Sequence, residues 1–108
     1  MQTSAGEHGR GFENKLAEDD ALEIKATARR NRMIGLWAGA LMGLEEQHLE
    51  DYAAATMRSK VTLPDDEDVV RKLARDLSGS GLKVSEDQVR GKMDELLAVA
   101  RGQIQAGQ

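Results

Sequence analysis

The chain has 108 residues, which is enough for one domain with a single modest hydrophobic core. It contains no cysteine, so disulfides and thiolate metal sites are excluded, and its net charge of −4 argues against non-specific nucleic-acid binding. Aromatic residues make up 3% of the chain and proline occurs once, whereas Ala, Leu, Glu, Asp, Lys and Arg are frequent. This composition favours helices throughout and predicts an all-α fold.

The first eleven residues, MQTSAGEHGRG, contain three glycines and no large apolar side chain other than Met1. Such a segment cannot bury enough surface to offset the entropy that is lost when it becomes ordered. We therefore predict a disordered N-terminal arm over residues 1–18 and a folded domain over residues 19–108.

The first helix of this domain is predicted to start at Asp19 or Asp20, either of which can cap it, and to run to about Met42. Apolar side chains recur at helical spacing toward its end, and Trp37 among them is expected in the core. Gly43 then fits a C-terminal stop.

The run Met33–Leu44 has twelve uncharged residues, whereas a membrane span needs about twenty. We interpret it as the central helix of a bundle, not as a signal peptide or a membrane segment. Gly35, Gly39 and Gly43 are spaced four apart, which predicts a side where a neighbouring helix crosses closely, at about 1 kcal/mol of helix propensity per glycine.

Three further amphipathic helices are predicted, joined by short connections. The second covers Glu45–Ser59 and has no obvious N-cap. A connector follows, because Pro64 excludes helix for the residue before it, and the third helix runs over residues 65–78 from an acidic first turn. The fourth begins with the capping box SEDQ at Ser85 and keeps one apolar face as far as Ile104. Four such helices predict a small four-helix bundle.

Signatures of catalysis or metal binding are missing from the sequence. His8 and His48 are isolated, and the acidic run DDED lacks the alternating ligands and central glycine of a calcium loop. No set of nucleophile, base and acid suggests itself. We therefore predict that the chain is not an enzyme, and that it has no metal site and no cofactor.

A cluster of cations, which we call the basic cluster, precedes the apolar run. It places four charges within eight residues: Lys25, Arg29, Arg30 and Arg32. Like charges at this spacing repel one another in an isolated helix. The cluster is either a polar outer face, or it is relieved by the acidic turns 45–51 or 65–68 of the same chain, or it binds an external anion such as a nucleotide phosphate or an acidic protein surface.

Residues 12–38, FENKLAEDDALEIKATARRNRMIGLWA, resemble the zeta subunit of the alphaproteobacterial F-type ATP synthase, a small natural inhibitor of ATP hydrolysis. The matching elements include FExK from Phe12, KAxARRNR from Lys25 and GxWA from Gly35. Further matches lie at DEDV from Asp66 and in the fourth helix, so that the resemblance covers about residues 12–104.

The resemblance implies a four-helix bundle whose N-terminal arm inserts at a catalytic αβ interface beside the rotating γ subunit, becomes helical there, and blocks rotation in the hydrolytic direction. It implies a cytoplasmic protein that is peripheral on the membrane-bound synthase. We expect a monomer in the free state, with no nucleic-acid partner and no membrane insertion. The residues expected to bind the partner are Phe12, Glu13, Lys15, Leu16, Asp19 and Lys25.

The N-terminal part of the sequence departs from the inhibitory pattern in three ways. Glycines stand at positions 6, 9 and 11, Leu16 replaces the commoner phenylalanine, and Ala21 stands where an acidic residue is usual. At about 1 kcal/mol each, the glycines together could weaken binding roughly a hundredfold. Two alternatives therefore stay open: a nucleotide- or anion-binding module that uses Arg29, Arg30 and Arg32, and a synthase-bound subunit that has lost inhibition.

Overall fold

The computed structural model describes the backbone of residues 3–62 and 65–108, and side chains within these ranges except those of residues 3–18 and 60–62. Its described part contains four helices and no strand, so the predicted all-α fold is confirmed. The helices are α1 (Thr3–Leu41), α2 (Glu46–Thr62), α3 (Asp66–Gly79) and α4 (Glu86–Gln105). α2 extends three residues beyond the predicted Ser59 and takes in part of the predicted connector. α1 begins at Thr3, sixteen residues before Asp19, so the helix start predicted at Asp19 or Asp20 differs from the structure. The division into an arm (1–18) and a domain (19–108) stays a prediction.

α1 is the central helix, and it packs along α2 and α4, while α3 packs on α4 and on part of α1. The core forms around the C-terminal half of α1. Its buried members are Ile34, Ala38, Val69, Val70, Leu73, Leu77, Val89 and Met93. Each of these side chains other than that of Ala38 contributes about 1.5–3 kcal/mol by leaving water. Trp37 packs against this core as a partly buried residue, which agrees with the prediction.

Two of the three spaced glycines mark the predicted close crossing, which is between α1 and α2. A Cβ atom at Gly35 would lie 2.9 Å from the Cα of Ala53, and one at Gly39 would lie 2.7 Å from a methyl group of Leu49. Because the later glycine of α1 meets the earlier residue of α2, the two helices run antiparallel. At Gly43 the crossing prediction is wrong, since nothing lies within 4 Å of a Cβ there.

Gly43 instead serves as the helix stop that the sequence also predicted. Its φ of +84° is the left-handed conformation that glycine adopts without strain, and the amide of Leu44 donates to the carbonyl of Gly39 at 2.9 Å. The best-defined helix start is that of α4, where Ser85 and Gln88 form both hydrogen bonds of the predicted capping box. In the described residues no helix is both long and apolar enough to cross a membrane.

Candidate partner-binding site

α1 emerges from the bundle at Ala26, the first of its described side chains that is fully buried. Most side chains of residues 19–25 are exposed, and Ile24 keeps 68% of its surface in solvent. One ion pair ties this segment to α4, because Arg101 donates to both carboxylate oxygens of Glu23 at 2.7 and 2.9 Å. This hydrogen bonding lowers the pKa of the Glu23 carboxyl. Residues 19–25 of α1 therefore lie mostly in solvent, and the Glu23–Arg101 ion pair holds them to the surface of α4.

The six residues predicted to bind the partner divide into two groups. Asp19 and Lys25 are exposed on the emerging segment of α1. Phe12, Glu13, Lys15 and Leu16 belong to the part of α1 whose side chains lie outside the described residues, so their role stays a prediction.

Arg30 turns inward, unlike the rest of the basic cluster. It is 3% exposed and its guanidinium donates to both carboxylate oxygens of Asp66 at 2.9 and 3.1 Å. Its Nε atom, together with one of the two nitrogens that bond Asp66, also donates to the amide oxygen of the buried Asn31. This arrangement joins α1 to the first turn of α3. The acidic turn 65–68 thus relieves part of the charge repulsion in the basic cluster, as one of the alternatives from the sequence proposed. Arg30 therefore does not share a surface with Arg29 and Arg32.

Arg29 and Arg32 face outward, into a groove of about 780 Å³ between α1, α2 and the end of α4, which we call the basic groove. Its charged lining consists of Lys25, Arg29 and Arg32, and its apolar lining includes Met33, Met57 and Ile104. Arg32 donates to Glu50 at 2.7 Å, whereas Arg29 donates to the side-chain oxygen of Gln103 and the backbone oxygen of Gln108. The basic groove is the described surface with the clearest capacity to hold an anionic group.

The model of the family described as ATPase inhibitor subunit zeta matches residues 2–103. The chain belongs to the ATPase inhibitor subunit zeta family. A solved structure, determined by NMR in solution, is 34% identical over 81% of this chain and 99% of its own, with a TM-score of 0.68. Among curated proteins none matches.

Membership confirms the resemblance seen in the motifs and gives the zeta-family chain the role of a regulatory inhibitor of an ATPase. It also implies that the chain binds the ATP synthase. The match extends from residue 2 to residue 103, within α4, so it takes in most of the predicted arm and most of the bundle.

The structure also shows a polar cluster in this zeta-family bundle that sequence reasoning missed. Tyr52 of α2 and Lys72 of α3 both donate to one carboxylate oxygen of Asp76, each at 2.7 Å, and the Lys72 ammonium lies 5.1 Å from the centre of the Tyr52 ring. Burial and the hydrogen bond to Asp76 raise the pKa of Tyr52. Burial alone would raise the pKa of Asp76, but the two hydrogen bonds outweigh it and hold this pKa below its usual value. The cluster fastens α2 to α3.

Proposed function

We propose that this zeta-family chain is a non-enzymatic subunit of the F-type ATP synthase that blocks ATP hydrolysis by inserting residues 1–18 at a catalytic αβ interface beside the γ subunit. The observation that carries the proposal is the exit of α1 from the bundle at Ala26. On the N-terminal side of Ala26, the described side chains of α1 are mostly exposed, so the helix leads the N-terminal segment away from its own domain.

In this proposal the bundle and the N-terminal segment have different roles. The bundle is too bulky to enter a subunit interface, so it stays outside and limits how far α1 penetrates. The N-terminal segment supplies the wedge. Phe12 and Leu16 are four residues apart, which places them on one face of a helix, where they form the apolar anchor, while Glu13 and Lys15 pair with the walls of the cleft.

Inhibition follows from the position of such a wedge. A helix that contacts both the static α and β subunits and the rotating γ subunit prevents γ from turning past it. The three glycines of the N-terminal segment oppose the ordering of the wedge by about 1 kcal/mol each, so the anchor residues carry much of the affinity.

Point variants of the anchor test this proposal. We expect the double variant Phe12→Ala, Leu16→Ala to lose inhibition of ATP hydrolysis by the cognate soluble catalytic sector. The matched control is Val99→Ala, which removes an apolar side chain that is 42% exposed on α4, far along the chain from the wedge, and is expected to inhibit like the unmodified chain. Equal inhibition by all three proteins would contradict the proposal.

A further inference from the structure

The basic groove is formed by three helices. α1 provides its floor, Met57 of α2 lines one side, and Ile104 near the end of α4 lines the other. A groove with a helical floor and a helix on either side is a surface into which a further helix can pack. At about 780 Å³ it can take several side chains of such a helix.

The charges of the groove select an acidic occupant. Three cations line it, and among the described residues the one side-chain carboxylate that pairs with any of them is that of Glu50, on Arg32. Arg29 donates to the side-chain oxygen of Gln103 and to the backbone oxygen of Gln108, the last residue of the sequence. Positive charge is therefore in excess in the groove, on a chain whose net charge is −4, and this excess attracts a carboxylate from a partner.

The apolar lining argues for a peptide over a small anion. Met33, Met57 and Ile104 are half-buried, so part of each remains open to contact. Methionine side chains adapt their shape to different apolar groups, a property common at surfaces that bind amphipathic helices. A phosphate group alone would use the arginines and leave these side chains uncovered.

We infer that the basic groove docks an acidic amphipathic helix of a protein partner, with carboxylates on Arg29, Arg32 and Lys25 and apolar side chains against the methionines. This gives the bundle a binding surface of its own, separate from residues 1–18. That the partner is the synthase rests on the proposed function, whereas the chemistry of the groove does not.

The test uses the full chain labelled with ¹⁵N and two synthetic helical peptides with identical leucine positions. One peptide carries glutamates at every polar position, and the other carries lysines. We expect the glutamate peptide to shift the amide resonances of Ala28, Met33, Met57 and Ile104, with an affinity that falls as salt is added, and we expect no such shifts from the lysine peptide.

Charge variants locate the binding. Arg29→Glu combined with Arg32→Glu is expected to weaken the glutamate peptide at least tenfold. Arg75→Glu combined with Lys83→Glu, at two exposed positions outside the groove, makes the same change in net charge and should leave the affinity within about twofold. If the Arg29→Glu, Arg32→Glu variant unfolds, Arg29→Gln with Arg32→Gln removes the same two positive charges without adding negative charges that repel Glu50.

Three results would overturn the inference. The first is that neither peptide binds, or that both bind equally. The second is that Arg75→Glu combined with Lys83→Glu weakens binding as much as the groove variants do. The third is that ADP shifts the groove resonances while the glutamate peptide does not, which would assign the groove to a small anion. None of these measurements involves ATP hydrolysis, so they are independent of whether the chain inhibits.

Discussion

The close approach of α1 and α2 at Gly35 gives a sharp prediction about stability. In Gly35→Ala, the new Cβ would lie 2.9 Å from the Cα of Ala53 and 2.9 Å from both the Cβ and the hydroxyl oxygen of Thr56. The first of these is a backbone atom and Thr56 is 3% exposed, so neither can move aside without shifting α2. The substitution therefore forces the two helices apart.

The expected size of the effect comes from two opposing contributions. Overpacking of a tight contact costs about 1–3 kcal/mol, and the rigid neighbours place this site near the upper end, at about 3 kcal/mol. Replacing glycine by alanine inside a helix returns about 1 kcal/mol. The net loss is about 2 kcal/mol in the free energy of unfolding, which lowers the melting temperature by roughly 8–16 °C for a domain of this size.

Gly91→Ala provides the matched control, because Gly91 lies inside α4 and a Cβ there meets nothing within 4 Å. It should raise the free energy of unfolding by about 1 kcal/mol. The two variants thus shift stability in opposite directions from the unmodified chain, and they are expected to differ from each other by about 3 kcal/mol. Urea denaturation followed by circular dichroism and by the fluorescence of Trp37 measures both. A Gly35→Ala variant that is as stable as the unmodified chain would refute the close crossing.

Two further predictions concern the ion pairs. Asp66→Asn leaves the buried guanidinium of Arg30 without its carboxylate and should lower the free energy of unfolding by about 2 kcal/mol. This value is discounted from the roughly 3–5 kcal/mol of a fully buried pair because Asp66 is 57% exposed. Asp68→Asn removes a surface pair with Arg71 and should cost less than about 0.5 kcal/mol in the same urea denaturation. Because the pKa of Asp76 is held below its usual value of 3.8, its ionised form stabilises the fold above that pH and the contribution is lost as the pH falls through the lowered pKa. The destabilisation by Asp76→Asn, measured by urea denaturation over this range, should therefore be largest at neutral pH and shrink on acidification; a destabilisation that is the same at every pH would contradict the ionic role of Asp76.

The helices could be predicted from the sequence because their signals are local. The capping box at Ser85, the stop at Gly43 and the apolar spacing along α4 each depend on residues within one or two turns, and each is found where the pattern places it. The crossing at Gly35 and Gly39 could also be predicted, since glycine inside a helix costs stability unless a neighbour needs the space.

The polar contacts between helices could not be predicted in the same way. Arg29, Arg30 and Arg32 are adjacent in sequence, and only the position of α3 relative to α1 decides that Arg30 is the one that turns inward to Asp66. The cluster around Asp76 depends likewise on where the fold places Tyr52 of α2 relative to α3. The same limit applies to the basic groove, because Ile104 is more than seventy residues from the arginines that it faces.

The most direct test of the proposed inhibition compares the full chain with a version that lacks residues 1–18, in two assays on the cognate soluble catalytic sector. One assay measures ATP hydrolysis and the other measures binding, so that a loss of docking is distinguished from a loss of the wedge. We predict that the full chain inhibits hydrolysis and that the shortened chain does not, although it remains folded by circular dichroism. Inhibition of equal strength by both proteins would contradict the account, because it would place the inhibitory contact in the bundle.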